Sequence, residues 1–282
     1  MGRHELPDGL EKGAIIAGKY RVDRVVGAGG MAVVVAATHT ELGEKVALKI
    51  MLPVLAEDPA LVTRFRREAK AASSVRSEHV VQVRDVDLLP TGEPFIVMEL
   101  LEGRDLEQLT RRGHLTDGDL VAYAVQACLG LADAHARGII HRDVKPGNLF
   151  LTRDDHGEPV VKVVDFGISR VRDEAALTSV GHVVGSLGYM PPEQLGAVAD
   201  LDERADVYAL AVTLYELLSR TRAYGGPSII EVSERIIAGD APDLATLRPD
   251  LPAELTTLVM AAMHRHRDRR PRTILELSLI HI

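Results

Sequence analysis

Short β-branched runs alternate with turn residues along the first hundred positions, which is the pattern of an antiparallel sheet. The pattern predicts five strands, at residues 20–26, 32–38, 45–51, 80–86 and 94–98. Between the third and fourth runs, Asp58-Pro59 predicts a helix start, because a capping side chain precedes a proline at the first helical position. Apolar residues then recur at helical spacing, at Leu61, Phe65, Ala69 and Ala72. The first part of the chain is therefore predicted to be a sheet with one helix.

The second part of the chain has mainly helical patterns. One helix is predicted from a cap at Thr116 to a stop at Gly138, and residues 205–218 form a second apolar helical run. Short strands are predicted at 149–151 and 160–164. A sheet with one helix, followed by a mostly helical half, indicates an α+β fold in two lobes.

Composition shifts predict where these parts begin and end. We expect a polar, flexible leader, a smaller lobe, a hinge, a larger lobe and a tail of uncertain origin. Their predicted ranges are 1–14, 15–98, 99–104, 105–277 and 278–282, respectively.

The bulk composition is that of a soluble globular protein, with 282 residues of which 46% are hydrophobic and 26% charged. The net charge of −8 argues against a general affinity for nucleic acid or for an anionic membrane. The sequence has no apolar run of about 18 residues, the length a membrane span needs. Residues 1–13 contain no apolar segment of the kind found in secretion signals. We therefore expect no membrane span in this chain.

Three local features have a structural and a functional interpretation. Residues 264–272 are basic, but no aromatic residues are interleaved, which favours solvated surface charge over nucleic-acid binding. His264 and His266 stand two positions apart, so we expect them on different sides of a helix rather than in one metal site. The single cysteine, Cys128, lies in an apolar helical segment, which favours buried packing over a reactive thiol and fits a reducing cytoplasm.

The motif HRDVKPGN at residues 141–148, followed by Asp165-Phe166-Gly167, carries the clearest chemistry. Asp143 can accept a proton from an attacking hydroxyl, and Lys145 adds a mobile positive charge near it. Asn148 and Asp165 offer hard oxygen ligands of the type that magnesium prefers. An isolated loop aspartate is most often a turn former or a helix cap. The ordered set makes that interpretation much weaker for these residues.

A glycine-rich loop and a lysine extend this chemistry into the first part of the chain. The loop has the pattern Gly27-x-Gly29-x-x-Ala32 and leads from one strand into another, so it predicts a hairpin over a polyphosphate rather than a dinucleotide-binding helix start. An ordinary glycine turn is the alternative. Lys49 lies in an apolar strand and must reach solvent or an anion, and Glu68 on the predicted helix is a candidate partner.

These motifs occur in the order of the protein kinase signature, and from about residue 20 to 273 the chain resembles the bacterial branch of the eukaryotic-like serine/threonine protein kinases. The resemblance implies the bilobal kinase fold, with a five-stranded antiparallel sheet and one helix in the N-lobe and a mainly helical C-lobe. It also implies ATP and Mg²⁺, with Mn²⁺ as an alternative, and protein substrates. The KPGN sequence resembles serine/threonine rather than tyrosine kinases, which implies Ser and Thr acceptors.

The resemblance implies a role for each matching residue. Lys49 would hold the α- and β-phosphates of ATP and pair with Glu68, while Asp143 would serve as the base and Lys145 would steady the phosphoryl group. Asp165 and Asn148 would bind the metal ions. The remaining nucleotide contacts would come from Gly27, Ala28, Gly29, Gly30, Val34, Ala47, the gatekeeper Met98, and the backbone of Glu99 and Leu101.

Regulation by phosphate is a further implication. Arg142 directly precedes the catalytic aspartate, and a phosphorylated Thr178 or Ser179 would pair with it and order the 165–193 loop. A polar loop with incidental hydroxyls is the alternative. Autophosphorylation in trans would involve a homodimer.

Structural roles follow for three more residues. The resemblance assigns Glu193 to an ion pair with Arg270, and Asp206 to a buried acidic anchor beneath the catalytic loop. The departures from the family pattern are Ala32, Ser186, Leu187, Pro191, Ala209 and Ala211, none of which removes a catalytic charge.

A catalytically inactive, nucleotide-binding pseudokinase scaffold is the competing functional class. The complete charged set favours the active kinase. We expect a cytoplasmic domain. Because the sequence ends in LSLIHI without a helix stop signal, a continuation into a linker, a membrane span and a sensor domain stays open.

Overall fold

The computed structural model describes residues 10–113, 115–166, 187–196 and 200–278. The chain divides into two compact units. Among the described residues, the first unit contains 10–76 and 81–102, and the second contains the rest, including the short segment 77–80.

The first unit is built on an antiparallel sheet. Its strands are β1 Ile15–Ile16, β2 Tyr20–Ala28, β3 Ala32–His39, β4 Lys45–Met51, β5 Val83–Leu88 and β6 Pro94–Glu99, in the order β1-β2-β3-β4-β6-β5. The antiparallel class is as predicted, with six strands instead of five. The additional strand, β1, has only two residues, too few to show an alternating pattern in the sequence.

Two helices follow β4 in the first unit: α1 Pro53–Ala56 and α2 Pro59–Ala72. The Asp58 side chain accepts a hydrogen bond from Ala60 N at 2.8 Å, so α2 begins at the cap that the sequence predicts. The predicted apolar positions of α2 are all buried: Leu61, Phe65, Ala69 and Ala72. The four-residue α1 is too short for a helical period to be visible in the sequence.

Two predictions about the first unit need correction. Leu10 is 3% exposed and packs in the core with Tyr20 and Val22, so residues 10–14 belong to the folded unit and not to a flexible leader. The strand predicted to begin at Val80 begins at Val83 instead, because Val80 is buried in the second unit, where it forms a parallel bridge with Val163.

The second unit is mainly helical. Its helices are α3 Leu106–Arg111, α4 Asp117–His135, α5 Pro192–Leu195, α6 Arg204–Ser219, α7 Ile229–Ala238, α8 Leu244–Leu247, α9 Ala253–Ala262 and α10 Ile274–Leu277. A three-stranded antiparallel sheet, β7 Arg104–Asp105, β8 Leu149–Arg153 and β9 Pro159–Val163, has the order β7-β8-β9. Within the described ranges, no helix is long and apolar enough to cross a membrane.

Helices α4 and α6 form the core of this unit. Thr116 and Asp119 make a capping box at the start of α4, as the sequence predicts for Thr116. Helix α6 buries 13 of its 16 residues, so it is hydrophobic nearly all round and lies in the interior. The small residues Ala209 and Ala211 are among those buried.

Candidate active site

The catalytic motif forms a hydrogen-bonded loop between α4 and β8. The Lys145 ammonium donates to both carboxylate oxygens of Asp143, at 2.9 and 2.7 Å. The Asn148 amide nitrogen donates to the Asp143 backbone oxygen at 2.7 Å and to its carboxylate at 3.0 Å. Because the nitrogen of Asn148 makes both bonds, its Oδ1 is the atom left for a metal ion. The structure therefore brings Asp143, Lys145 and Asn148 together.

A buried aspartate beneath the loop fixes the loop backbone. Asp206 on α6 is fully buried and accepts hydrogen bonds from the backbone nitrogens of His141 and Arg142, both at 2.8 Å. A third bond joins it to the His135 imidazole at 2.7 Å. Burial alone would raise the pKa of Asp206, but the hydrogen bond and charge of His135 outweigh it and lower the pKa. Arg142 has φ 68°, and its bond to Asp206 helps to hold this uncommon conformation.

The segment that leads to Asp165 is tied to the same loop. Val164 N donates to the Asn148 backbone oxygen at 3.0 Å, and the His141 Nε2 atom lies 2.9 Å from the Val164 oxygen. The rings of His141 and Phe166 are 4.6 Å apart. Asp165 itself has φ 65°. The two predicted metal ligands, Asn148 and Asp165, therefore lie on directly bonded segments.

Four of the predicted nucleotide-binding residues of the first unit share one face of the sheet. Val34 on β3 lies opposite Lys49 on β4, and Ala47 lies opposite Met98 on β6. Opposed residues and residues two apart on a strand project to the same face. Lys49 is only 8% exposed there. The sheet therefore places Val34, Ala47, Lys49 and Met98 together.

The glycine-rich loop is a hairpin between β2 and β3, as the sequence predicts. Gly27 lies opposite Val34, and Gly29 N donates to the Ala32 oxygen at 3.0 Å. No heavy atom lies within 4 Å of a Cβ built at Gly27 or Gly30, so the space beside both glycines is open. Ala28 is exposed at the end of β2.

The other predicted nucleotide-binding residues of the first unit lie close to the strands already named. Glu68 is half-buried on α2, and its neighbours Phe65 and Ala69 pack with Ile96, the strand partner of Lys49. Glu99 pairs with the backbone of Gln82 through its own N–H and its carboxylate, at 3.1 and 2.8 Å. Leu101 follows β6 and is partly buried.

A bidentate ion pair braces the second unit. Arg270 donates to both carboxylate oxygens of Glu193, at 2.7 and 2.8 Å. Its guanidinium also lies 4.7 Å from the Tyr208 ring centroid, and its Nε donates to the His264 oxygen at 2.7 Å. The pair expected from the sequence is therefore present and is buried at the arginine.

Several predicted residues lie outside the described part of the chain: Gly167, Thr178, Ser179 and Ser186. His264 and His266 do not lie on a helix as expected, because α9 ends at Ala262, and their rings lie 5.5 Å apart beyond it. Burial raises the pKa of Cys128 to about 12, which agrees with a packing role.

The oxygen donors fit magnesium. Within the described ranges, no cluster of three or more His, Cys, Asp or Glu side chains is arranged to hold a metal ion by itself. Magnesium is usually bound by one or two carboxylates together with substrate phosphates and water, so Asp165 and Asn148 are a suitable set.

Sequence reasoning missed several residues that contact this machinery. His135 binds Asp206, while His79 and Gln126 bind β9, the strand that leads to Asp165. Gln126 is a lone polar residue in an apolar helical segment, which could have indicated a buried partner. His79 and His135 stand near other polar residues, so no signal in the sequence distinguishes them.

A two-lobed α+β chain with this catalytic loop, buried aspartate and bidentate ion pair has the structure of a protein kinase domain. The chain belongs to the protein kinase domain family, which matches residues 20–277.

Bacterial serine/threonine-protein kinases are among the relatives of the chain. It is 36% identical over 266 residues to serine/threonine-protein kinase pkn3 of Myxococcus xanthus, covering 92% of this chain and 48% of that protein. It is 35% identical to serine/threonine-protein kinase PknH of Mycobacterium tuberculosis, covering 93% and 41%. The chain thus spans less than half the length of these relatives. The crystal structure of the Mycobacterium tuberculosis PknI kinase domain matches with TM-score 0.74 and 29% identity, covering 96% of this chain and 97% of that one.

Proposed function

We propose that this chain is an ATP-dependent protein kinase that phosphorylates serine and threonine hydroxyls. The observation that carries the proposal is the joint placement of Asp143, Lys145 and Asn148, within hydrogen-bond distance of one another. The names of the relatives support serine and threonine as the acceptors.

Asp143 is the group that receives the proton in this proposal. The substrate hydroxyl donates to the Asp143 carboxylate, and its oxygen forms a bond to the γ-phosphorus as the bond from that phosphorus to ADP breaks. Lys145 is held by Asp143, and its positive charge would stabilise the negative charge on the oxygens of the transferred phosphoryl group. Asp206 fixes the backbone before Asp143, so the base does not have to be oriented during the reaction.

ATP is assigned to the residues on one face of the first unit's sheet. Val34, Ala47 and Met98 would pack against adenine, whose edge would bond to the backbone of Glu99 and Leu101. Lys49, supported by Glu68, would pair with the α- and β-phosphates under the backbone of residues 27–30. Asp165 and Asn148 would hold Mg²⁺ or Mn²⁺, which neutralises phosphate charge when bound.

Substitution of the base tests the proposal. Asp143→Asn removes the proton acceptor while keeping the side-chain shape, so phosphate transfer should fall roughly 10³-fold. The measurement is radiolabel transfer from ATP and Mg²⁺ to a generic basic protein, with ATP-analogue binding as the control for folding. Equal incorporation by wild type and variant contradicts the assignment. Binding without any transfer by the wild type would instead indicate a pseudokinase.

Activation by autophosphorylation of Thr178 or Ser179 is a finer part of the proposal. The positive charge of Arg142, next to the base, is a suitable partner for a phosphorylated residue. The phosphatase-treated Thr178→Ala, Ser179→Ala double variant should stay poorly active after incubation with ATP, while the treated wild type recovers. Full activity of the double variant would exclude this switch. Labelling of an Asp143→Asn copy by wild type would show transfer between two copies of the chain.

A cytoplasmic location is also part of the proposal. Cytoplasm supplies ATP and keeps a buried thiol such as Cys128 reduced.

A further inference from the structure

Strand β9 leads to Asp165 and has one edge that no strand covers among the described residues. It pairs with β8 on one side only and is the last strand of its sheet. On an uncovered edge, alternate residues present an N–H and a C=O that need partners. For β9 these residues are Val161 and Val163, together with Pro159, which offers only its C=O because proline has no N–H.

A glutamine from α4 satisfies the first part of this edge. The Gln126 amide nitrogen donates to the Pro159 oxygen at 3.2 Å, and its Oε1 accepts from Val161 N at 2.6 Å. One primary amide therefore takes the place of a neighbouring peptide group. Gln126 stands in an otherwise largely apolar helix, and its side-chain amide bonds to the edge of β9.

His79 satisfies the second part of the edge. Its backbone oxygen accepts from Val163 N at 2.8 Å, and its Nδ1 atom lies 3.2 Å from the Val161 oxygen. The residue is 8% exposed, so these bonds are shielded from water. His79 lies in the segment 77–80, which belongs to the second unit.

A glycine on α4 allows His79 to approach the helix. A Cβ built at Gly130 would lie 2.6 Å from the His79 oxygen and 3.0 Å from its Cβ. Real side chains do not tolerate such distances, and the nearest atom belongs to the backbone. A larger residue at position 130 would displace the oxygen that Val163 uses.

We infer that Gln126, His79 and Gly130 form an edge clamp that positions Asp165 for metal binding. The clamp holds β9 as far as Val163, and the next residue, Val164, is bonded to Asn148 and His141. The backbone is thus held continuously up to the carboxylate. The three residues touch no reacting atom and act through Asp165. The inference rests on the metal-binding role of Asp165 in the proposed function.

Two substitutions test the clamp against a matched control. Gln126→Leu removes both amide bonds, and Gly130→Ala pushes on His79. Gly118→Ala is the control, because it adds the same methyl group to the same helix, where the nearest atom is the Thr116 hydroxyl at 3.8 Å. The measurement is calorimetric binding of a non-hydrolysable ATP analogue to the full chain, with and without Mg²⁺, beside thermal unfolding.

Loss of a group that orients a metal ligand typically costs 10–100-fold in metal affinity, so we expect about a 10-fold loss of the Mg²⁺-dependent part of binding. Binding without Mg²⁺ should change little, and Gly118→Ala should match wild type. A lowered unfolding temperature with unchanged Mg²⁺ dependence in both variants would overturn the inference. Should Gly130→Ala fail to fold, Gln126→Leu alone decides.

The outcome for the clamp is separable from that for the kinase activity. If the wild type transfers no phosphate while Mg²⁺-dependent binding still weakens in Gln126→Leu, the proposed activity fails and the clamp stands. If Asp165→Asn leaves Mg²⁺-dependent binding intact, the metal-binding role fails and the clamp inference fails with it.

Discussion

Asp206 keeps a negative charge where water has no access, and three donors compensate for that burial. Two of the donors are backbone N–H groups of the catalytic loop and the third is the His135 imidazole. A buried charge of this kind is stable only while its partners remain. At the scale of single residues, the conformation of the catalytic loop therefore depends on the ionisation of the Asp206 carboxyl group.

Replacement of this carboxylate should cost stability in a pH-dependent way. Asp206→Asn should lower the free energy of unfolding by about 3 kcal/mol at pH 7, because buried donors lose a charged acceptor. The folded-state pKa of Asp206 lies below the ordinary value of 3.8, so its contribution is present above pH 3.8 and is lost as the pH falls through the lower folded value. Urea unfolding of wild type and variant between pH 7 and pH 2 measures this difference.

An exposed aspartate provides the comparison. Asp155 lies in the turn after β8, and Asp155→Asn should stay close to wild type at every pH. A gap between Asp206→Asn and wild type that does not shrink in acid would contradict the assigned charge.

At the scale of elements, the sequence predicts a helix start correctly where a capping residue or a proline stands at that start. Helix α2 has a capping aspartate and a proline at its start, and α4 has the Thr116 cap. The strand predicted at residues 80–86 has no such boundary signal. Val80 and Val81 are β-branched and apolar whichever part of the fold receives them, so the sequence could not show that Val80 bridges to Val163 and that β5 begins later.

The same distinction applies to the candidate site. Asp143, Lys145 and Asn148 fall within one short motif, so their order in the sequence already indicates their chemistry. Gln126 and His79, by contrast, bind Val161 of β9, from which they are separated in sequence by 35 and 82 residues, respectively. No local pattern records such contacts, because tertiary packing alone creates them.

At the scale of the whole molecule, the two units do not correspond to two continuous pieces of chain. The first unit is interrupted by residues 77–80, which are counted with the second. Within the second unit, this segment supplies His79 and Val80 to the edge of β9, and Val80 is 1% exposed. The larger unit is therefore incomplete without four residues that precede the rest of it in sequence.

A fragment tests this dependence. Residues 103–282 alone lack His79 and Val80, so β9 loses backbone partners and an apolar contact. The combined loss is on the order of 5 kcal/mol, a large share of the 5–15 kcal/mol that stabilises a typical domain. We expect the fragment to show no cooperative urea transition by circular dichroism, while the full chain does. A transition at the full chain's midpoint would show that the segment is dispensable.

The placement of residues 77–80 also limits how such domains can exchange parts during evolution or in the laboratory. A hybrid joined at residue 102 would combine His79 and Val80 of one parent with Gly130 and Gln126 of another. Recombinants with that junction should fold only when both parents have compatible residues at these four positions. The residues at the four positions are therefore expected to vary together among such domains, although the junction separates them.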